Sequence, residues 1–134
     1  MNKALIITHG DFGRELIAVA EGIMEEKADI DYFSFDWEED GSETIPKFEQ
    51  YLQKNKDNNI LIFTDMFGGS PTNICFTFKR KNIEIITGVN LPGLLKYLTY
   101  KDKDMDFKEM AKIVKKGAIE GINLISEYLG DKKK

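Results

Sequence analysis

The only histidine of the chain, His9, comes directly after an apolar run that ends in Thr8. Neutral imidazole is a nucleophile near pH 7 because its unperturbed pKa is about 6.5. To attack phosphorus, one ring nitrogen must present a lone pair while the other carries the proton. A carboxylate that accepts the hydrogen bond of that proton fixes the tautomer. Asp65 follows another apolar run, and we predict that His9 and Asp65 form a catalytic pair, although a lone histidine at a strand end can also serve only to satisfy a loop.

A glycine-rich turn, Gly68-Gly69-Ser70-Pro71, follows Asp65. Glycines let the backbone approach an anion, and the first turn of a helix offers unpaired N–H groups and a favourable dipole. The same four residues are also typical of a tight turn before a helix, and they match neither a Walker P-loop nor a dinucleotide fingerprint. We interpret the turn as a phosphate-binding element and predict that a phosphoryl group is held by Gly10, Gly68, Gly69 and Ser70.

Further polar and aromatic residues follow the predicted strands. In a parallel sheet, ligands gather at the carboxyl ends of the strands, near the point where the strand order reverses. The segment 87–92 follows the fourth predicted strand and brings Asn90 to that edge. We predict that Asn90 and Phe67 lie at the rim of the site. Trp37 lies in an acidic loop, and its position is compatible with a partner surface or with a half-buried aromatic.

Four short β-branched and aromatic runs alternate with helical patterns along the chain. They are the predicted strands, over Ala4–Thr8, Ile30–Phe35, Ile60–Thr64 and Ile83–Thr87. Continuous apolar runs are typical of strands that are buried on both faces of a parallel sheet. Alternating strands and helices with right-handed crossovers predict an α/β fold with helices on both faces. We predict a single three-layer domain over residues 1–134, with a mainly parallel, doubly wound sheet in the order 2-1-3-4.

Apolar residues at helical spacing place the helices. The first helix is expected to bury one stripe of side chains, formed by Phe12, Leu16, Val19, Ala20 and Ile23. The last helix is expected to start near Phe107 and to bury a face formed by Met110, Ala111, Val114, Ala118, Ile122 and Ile125. Ser42 is the expected cap of the second helix, and Ser70 that of the third, with Pro71 as its first helical residue.

Charge and composition argue against several classes of function. The chain has 19 Lys and Arg against 23 Asp and Glu, and its net charge of −4 disfavours broad nucleic-acid binding, in which cations neutralise phosphates. A chain with 1 His and 1 Cys lacks the usual ligands of a zinc site, so we predict no metal and no cofactor. Cys75 cannot form an internal disulfide, and the short apolar run after Met1 is neither a signal peptide nor a membrane span. We therefore expect a cytoplasmic protein.

Three motifs at the predicted strand ends, Thr8-His9-Gly10, the segment from Thr64 to Pro71, and the segment from Gly88 to Pro92, together resemble the mannose-family enzyme IIA. That family belongs to the bacterial phosphoenolpyruvate-dependent sugar phosphotransferase system. The resemblance implies that His9 is phosphorylated and that Asp65 is its hydrogen-bonding partner. It further implies phosphorylated HPr as the donor, a histidine of a IIB protein or domain as the acceptor, and membrane contact only indirectly, through a sugar transporter. Similar proteins form homodimers in which a C-terminal strand completes the sheet in antiparallel sense.

Two departures from the family pattern and several alternatives accompany this interpretation. Gly93 follows Pro92 where many relatives have Met, and no linker or IIB domain follows the last helix, so a free-standing IIA protein is expected. The similar first domain of the dihydroxyacetone kinase phosphotransfer subunit and a non-catalytic flavodoxin-like binding module are the alternatives. A histidine phosphatase would need an Arg-His-Gly start and a second catalytic His, and a response-regulator receiver domain would need paired acids after the first strand.

Overall fold

The computed structural model describes the backbone of residues 1–37 and 41–133 and the side chains through residue 130. The strands are β1 (Asn2–His9), β2 (Ile30–Phe35), β3 (Asn59–Thr64) and β4 (Ile83–Ile86). The helices are α1 (Phe12–Met24), α2 (Thr44–Lys54), α3 (Ser70–Thr77), α4 (Leu91–Tyr100), α5 (Phe107–Glu120) and α6 (Ile125–Lys133). The strands form one sheet in the order β2-β1-β3-β4, and every pairing in it is parallel. The predicted α/β class and the strand order 2-1-3-4 are confirmed.

The sheet separates two apolar clusters, because successive side chains of a strand point to opposite faces. On one face, Ala4 and Ile6 of β1 pack with α1, α4 and α5. On the other face, Leu5 and Ile7 pack with α2 and α3. The two central strands are therefore buried on both sides, which is the reason for their continuous apolar runs.

Helix α1 buries only part of the predicted stripe, because Ala20 is buried and Leu16 packs against the core while the other members do not. Gly13, Ile17 and Ala20 face the sheet, whereas three members of the predicted stripe are about half exposed, namely Phe12 at 47%, Val19 at 49% and Ile23 at 53%. The cause is the close approach of the helix to β1 at Gly13. A Cβ there would lie 2.8 Å from Cγ2 of Ile6, and the Gly13 N–H donates to Oγ1 of Thr8 at 2.9 Å. This contact fixes the rotation of the helix about its axis.

The prediction of one long final helix is wrong. Helix α5 ends at Glu120, and Ile122 and Ile125 are 74% and 61% exposed. Gly121 stands where a side chain would collide with Pro92, and glycine is a poor helix former, so the chain leaves the helix there.

The possible antiparallel edge strand at the C-terminus is not seen in residues 1–37 and 41–133 of this chain. Among the described residues the sheet contains four strands, and residues 125–133 form α6 instead. A strand gains stability from pairing with a neighbouring strand, and in the described residues no strand pairs with residues 125–133, which form the helix α6 instead.

The predicted caps are displaced by a residue. Helix α2 begins at Thr44 after Glu43, so Ser42 is not at the cap position. Helix α3 begins at Ser70 itself, with Gly69 in extended conformation at the cap and Pro71 in the first turn.

Candidate functional site

The site lies where β1 and β3 end at the carboxyl edge of the sheet. His9 is the last residue of β1, and Asp65 directly follows β3. Ile7 is in register with Thr64, so the residues after these two strands meet side by side. On the other flank of β1, His9 itself is in register with Phe35 at the end of β2.

One carboxylate oxygen holds His9 at two points. Oδ2 of Asp65 accepts the backbone N–H of His9 at 2.8 Å and lies 2.7 Å from the ring nitrogen Nδ1. Because an ionised carboxylate can only accept, we assign the proton to Nδ1 and the lone pair to Nε2. No hydrogen bond to Nε2 is formed by any group in residues 1–37 or 41–133.

The carboxylate of Asp65 interacts mainly with His9. Its side chain is only 14% exposed, and its second oxygen, Oδ1, is buried without a hydrogen-bond partner in the described part of the chain. Both donors to the carboxylate within that part belong to His9. The carboxylate therefore lies where it can stabilise positive charge that develops on the imidazole during a reaction.

Three residues enclose the imidazole ring. The indole of Trp37 stacks on it, with the ring centroids 5.0 Å apart and the planes inclined by 18°. Phe35 meets it edge-on at 6.0 Å. At Gly69, an added Cβ would lie 3.4 Å from Cε1 of His9, so the glycine backbone reaches the ring.

Buried threonines fix the turn after β3. Oγ1 of Thr72 donates to the carbonyl oxygen of Met66 at 2.6 Å, and Thr64 and Thr72 share a second hydrogen bond of 2.6 Å. The single hydroxyl proton of Thr72 is used on Met66, so Thr64 is the donor in the second bond. Gly68 has a φ of +85°, which favours glycine, and the turn then brings Gly69 and the start of α3 against His9.

Five of the predicted site residues line one open depression of about 590 Å³, namely His9, Asp65, Gly68, Gly69 and Ser70. Its wall is completed by Phe12, Trp37 and Met66, which the sequence analysis did not assign to the site. The sequence could have indicated Trp37 as a site residue, because it lies two residues after β2, the strand that pairs with β1 up to His9.

The other predicted residues lie outside this depression. Gly10 follows His9 with a φ of +54° and donates its N–H to the carbonyl oxygen of Phe35 at 3.0 Å. Asn90 caps α4 by accepting the N–H of Gly93 at 2.9 Å, and it donates to the carbonyl oxygen of Ala118 in α5 at 3.0 Å. Phe67 is 74% exposed and faces a groove beside β4.

Other kinds of site find no support in the described residues. Across 1–37 and 41–133, no group of three or more His, Cys, Asp or Glu side chains is arranged to hold a metal ion. Over the same ranges, none of the helices is both apolar enough and long enough to span a bilayer.

A parallel α/β sheet that presents a carboxylate-bound histidine at its carboxyl edge, where such sheets bind ligands, can accept a transferred group on the free ring nitrogen. Comparison with protein families agrees, since the EIIA-man family, described as the fructose IIA component of the phosphotransferase system, matches residues 3–115. The chain belongs to this family and is a mannose-family enzyme IIA phosphocarrier of the phosphotransferase system. The resemblance found in the three motifs is thereby confirmed.

Individual relatives support the same assignment. The mannose-specific EIIAB component of Escherichia coli K12 is 29% identical in an alignment 129 residues long, which covers 93% of this chain and 40% of the relative. The chain thus spans about 40% of the length of the curated relatives it matches.

Solved structures show the same fold. A IIA protein associated with the fucose utilization operon of Streptococcus pneumoniae superposes with a TM-score of 0.81 at 22% identity, covering 96% of both chains. The mannose/sorbose-specific IIA subunit of Enterococcus faecalis gives 0.82 at 21% identity, covering 92% of this chain and 93% of that one.

Proposed function

We propose that Nε2 of His9 accepts a phosphoryl group from phosphorylated HPr and passes it to a histidine of a IIB protein or domain. The observation that carries the proposal is the 2.7 Å contact between Nδ1 of His9 and Oδ2 of Asp65, which leaves Nε2 as the nucleophile beside an open depression. This transfer would serve the coupled uptake and phosphorylation of a sugar.

The chemistry needs no change of protonation on His9. The Nε2 lone pair forms a bond to phosphorus while the bond between phosphorus and the donor imidazole breaks, and its electron pair returns to the donor nitrogen. The proton on Nδ1 stays in place, so the ring becomes positively charged beside Asp65. Transfer to the acceptor histidine repeats the step in reverse. Because donor and acceptor are similar, positioning and charge stabilisation suffice for catalysis.

The start of α3 is the proposed phosphate-binding element. The first N–H groups of a helix have no partner within it, and the positive end of the helix dipole lies there. In this chain they adjoin Gly69, whose backbone approaches Cε1 of His9, and Ser70 adds a hydroxyl. Gly10 cannot donate its N–H to the phosphoryl group, because that N–H is bonded to the carbonyl oxygen of Phe35. Its contribution is the turn of the backbone after His9.

Phosphorylation with labelled phosphoenolpyruvate, enzyme I and HPr tests the proposal. We expect an acid-labile, base-stable phosphoprotein, and no label on His9→Ala. Asp65→Asn should slow transfer about 10- to 100-fold, since a hydrogen bond to a charged group contributes roughly 1.5–3 kcal/mol. Asp11→Asn is the matched control, because Asp11 is exposed and pairs with Arg14. Full labelling of His9→Ala, or no labelling of the wild type by HPr from its own host, would contradict the proposal.

We also propose that the protein is a cytoplasmic homodimer. Large apolar side chains are between 46% and 74% exposed along the C-terminal segment, at Ile119, Ile122, Leu124, Ile125, Tyr128 and Leu129. Many large exposed apolar side chains in one segment are typical of an interface. Beside β4, at the edge of the sheet, Phe67, Phe76 and Ile85 line an apolar groove of about 390 Å³. The C-terminal segment of a second copy, packed into the groove beside β4, would cover both surfaces.

A further inference from the structure

The stacking of Trp37 on His9 is a contact that the transfer chemistry above does not use. Trp37 is 78% exposed, yet its indole lies nearly parallel to the imidazole at 5.0 Å. It comes from the loop after β2, and an added Cβ at Gly10 would lie 3.8 Å from its Nε1, in ordinary contact. A tryptophan that exposes most of its surface while one face covers a nucleophile is a candidate for a role in the reaction.

The contact restrains a motion that Asp65 leaves free. The hydrogen bond at Nδ1 fixes one atom of the ring, but the ring can still tilt about that bond. A flat indole against one face defines the plane of the imidazole and hence the direction of the Nε2 lone pair. Phe35 touches only an edge of the ring and cannot replace this contact.

The indole also responds to the charge of the ring. The π face of tryptophan is electron-rich and attracts a cation more strongly than a neutral ring. Phosphorylation at Nε2 with the proton kept on Nδ1 makes the imidazole positive. Stacking therefore strengthens in the phosphorylated state, and the carboxylate and the indole stabilise the same charge from two directions.

We propose that Trp37 is a positioning residue for His9 that stacks more tightly on the phosphorylated imidazole and so raises the phosphorylated fraction of the protein. The inference rests on the proposed phosphorylation of His9. It also makes Trp37, the 1 Trp of the chain, an optical reporter of the phosphorylation state. A positively charged imidazole accepts an electron from excited indole more readily than a neutral one, so phosphorylation should quench the emission of Trp37.

Two substitutions of Trp37 separate the effect of aromatic stacking from that of side-chain volume. Trp37→Phe keeps an aromatic face, whereas Trp37→Leu keeps apolar volume without one. With limiting phosphorylated HPr, the ratio of phosphorylated to free protein should fall about three- to tenfold in Trp37→Leu and stay within about twofold in Trp37→Phe. Tyr32→Leu removes another exposed aromatic of the same strand region and should leave the ratio unchanged.

Emission provides the second readout. The wild type should lose Trp37 fluorescence when phosphoenolpyruvate is added to enzyme I and HPr, and His9→Ala should lose none in the same mixture. Equal labelling of Trp37→Leu and the wild type, or full labelling of the wild type with unchanged emission, would overturn the role of Trp37 alone. No labelling of the wild type would remove both this role and the proposed function.

Discussion

At the residue scale, the site depends on one largely buried carboxylate, 14% exposed, that holds both the backbone and the ring of His9 through the same oxygen. The backbone bond ties the carboxylate to the end of β1, and the ring bond then fixes which nitrogen is free. Any shift of β3 along β1 would disturb both bonds together. The imidazole of His9 is therefore oriented by the register of the sheet as well as by the side chain of Asp65.

Cys75 is the residue-scale case of a group that burial makes inert. It is fully buried, and desolvation raises the pKa of its thiol to about 12. Only the thiolate reacts with alkylating reagents, so the native protein should resist iodoacetamide at pH 8 and react within the same period in urea. Because the folded pKa lies above the unfolded value of about 8.5, folding should become less favourable as the pH rises past that value. Mass spectrometry measures the labelling, and rapid labelling of the native protein at pH 8 would contradict the prediction that the thiol of Cys75 is unreactive.

At the scale of elements, close contacts at small residues decide how the helices lie on the sheet. Gly13 sets the rotation of α1, and Gly121 ends α5 against Pro92. Asn90 joins α4 to α5 through its bond to Ala118. These contacts fix α1, α4 and α5 on one face of the sheet. The turn after β3 is fixed separately, by the hydrogen bonds of Thr64 and Thr72.

Gly13 and Gly22 form a matched pair within α1. Alanine at Gly13 would bring a Cβ to 2.8 Å from Cγ2 of Ile6 and should destabilise the fold by about 1–3 kcal/mol, because the helix must move. Alanine at Gly22 meets nothing within 4 Å and should stabilise it by about 0.5–1 kcal/mol, through helix propensity. Urea unfolding followed by circular dichroism measures both changes. A Gly13→Ala variant as stable as Gly22→Ala would show that α1 is not held against β1 at this point.

At the scale of the whole molecule, the C-terminal segment is the part that a single chain leaves poorly covered. The two core clusters account for the four strands and for α1 to α5. By contrast, Ile122 and Leu124, between α5 and α6, are 74% and 62% exposed. The C-terminal segment exposes apolar side chains, and β4, at the edge of the sheet, has an apolar groove beside it. In a dimer, the segment of each copy would cover the groove of the other.

Ile122→Asp tests this assembly, and Ile23→Asp is its control on α1, where an isoleucine is also exposed. The wild type should sediment as a dimer at micromolar concentration. Ile122→Asp should weaken the dimer by about 30-fold or more, since an unpaired charge in an apolar contact costs roughly 2 kcal/mol or more. Ile23→Asp should remain dimeric. A monomeric wild type, or equal effects of the two substitutions, would count against the proposed interface.

The sequence by itself determined the fold class and the order of the strands. Continuous apolar runs require a sheet that is buried on both faces, and short connections restrict the order of its strands. The same logic selects His9 and Asp65, because residues that follow parallel strands must meet at one edge of the sheet. Together with the three motifs, this was enough to indicate the family.

Only the tertiary structure decided which faces of the elements meet and where aromatic side chains lie. The rotation of α1 depends on a contact of Gly13 with Ile6, and the end of α5 on a contact of Gly121 with Pro92. The stacking of Trp37 on His9 likewise depends on the pairing of β2 with β1 and on the path of the loop that follows. Each of these contacts joins residues distant in sequence, or depends on the fit of individual atoms, which periodicity and residue type do not encode.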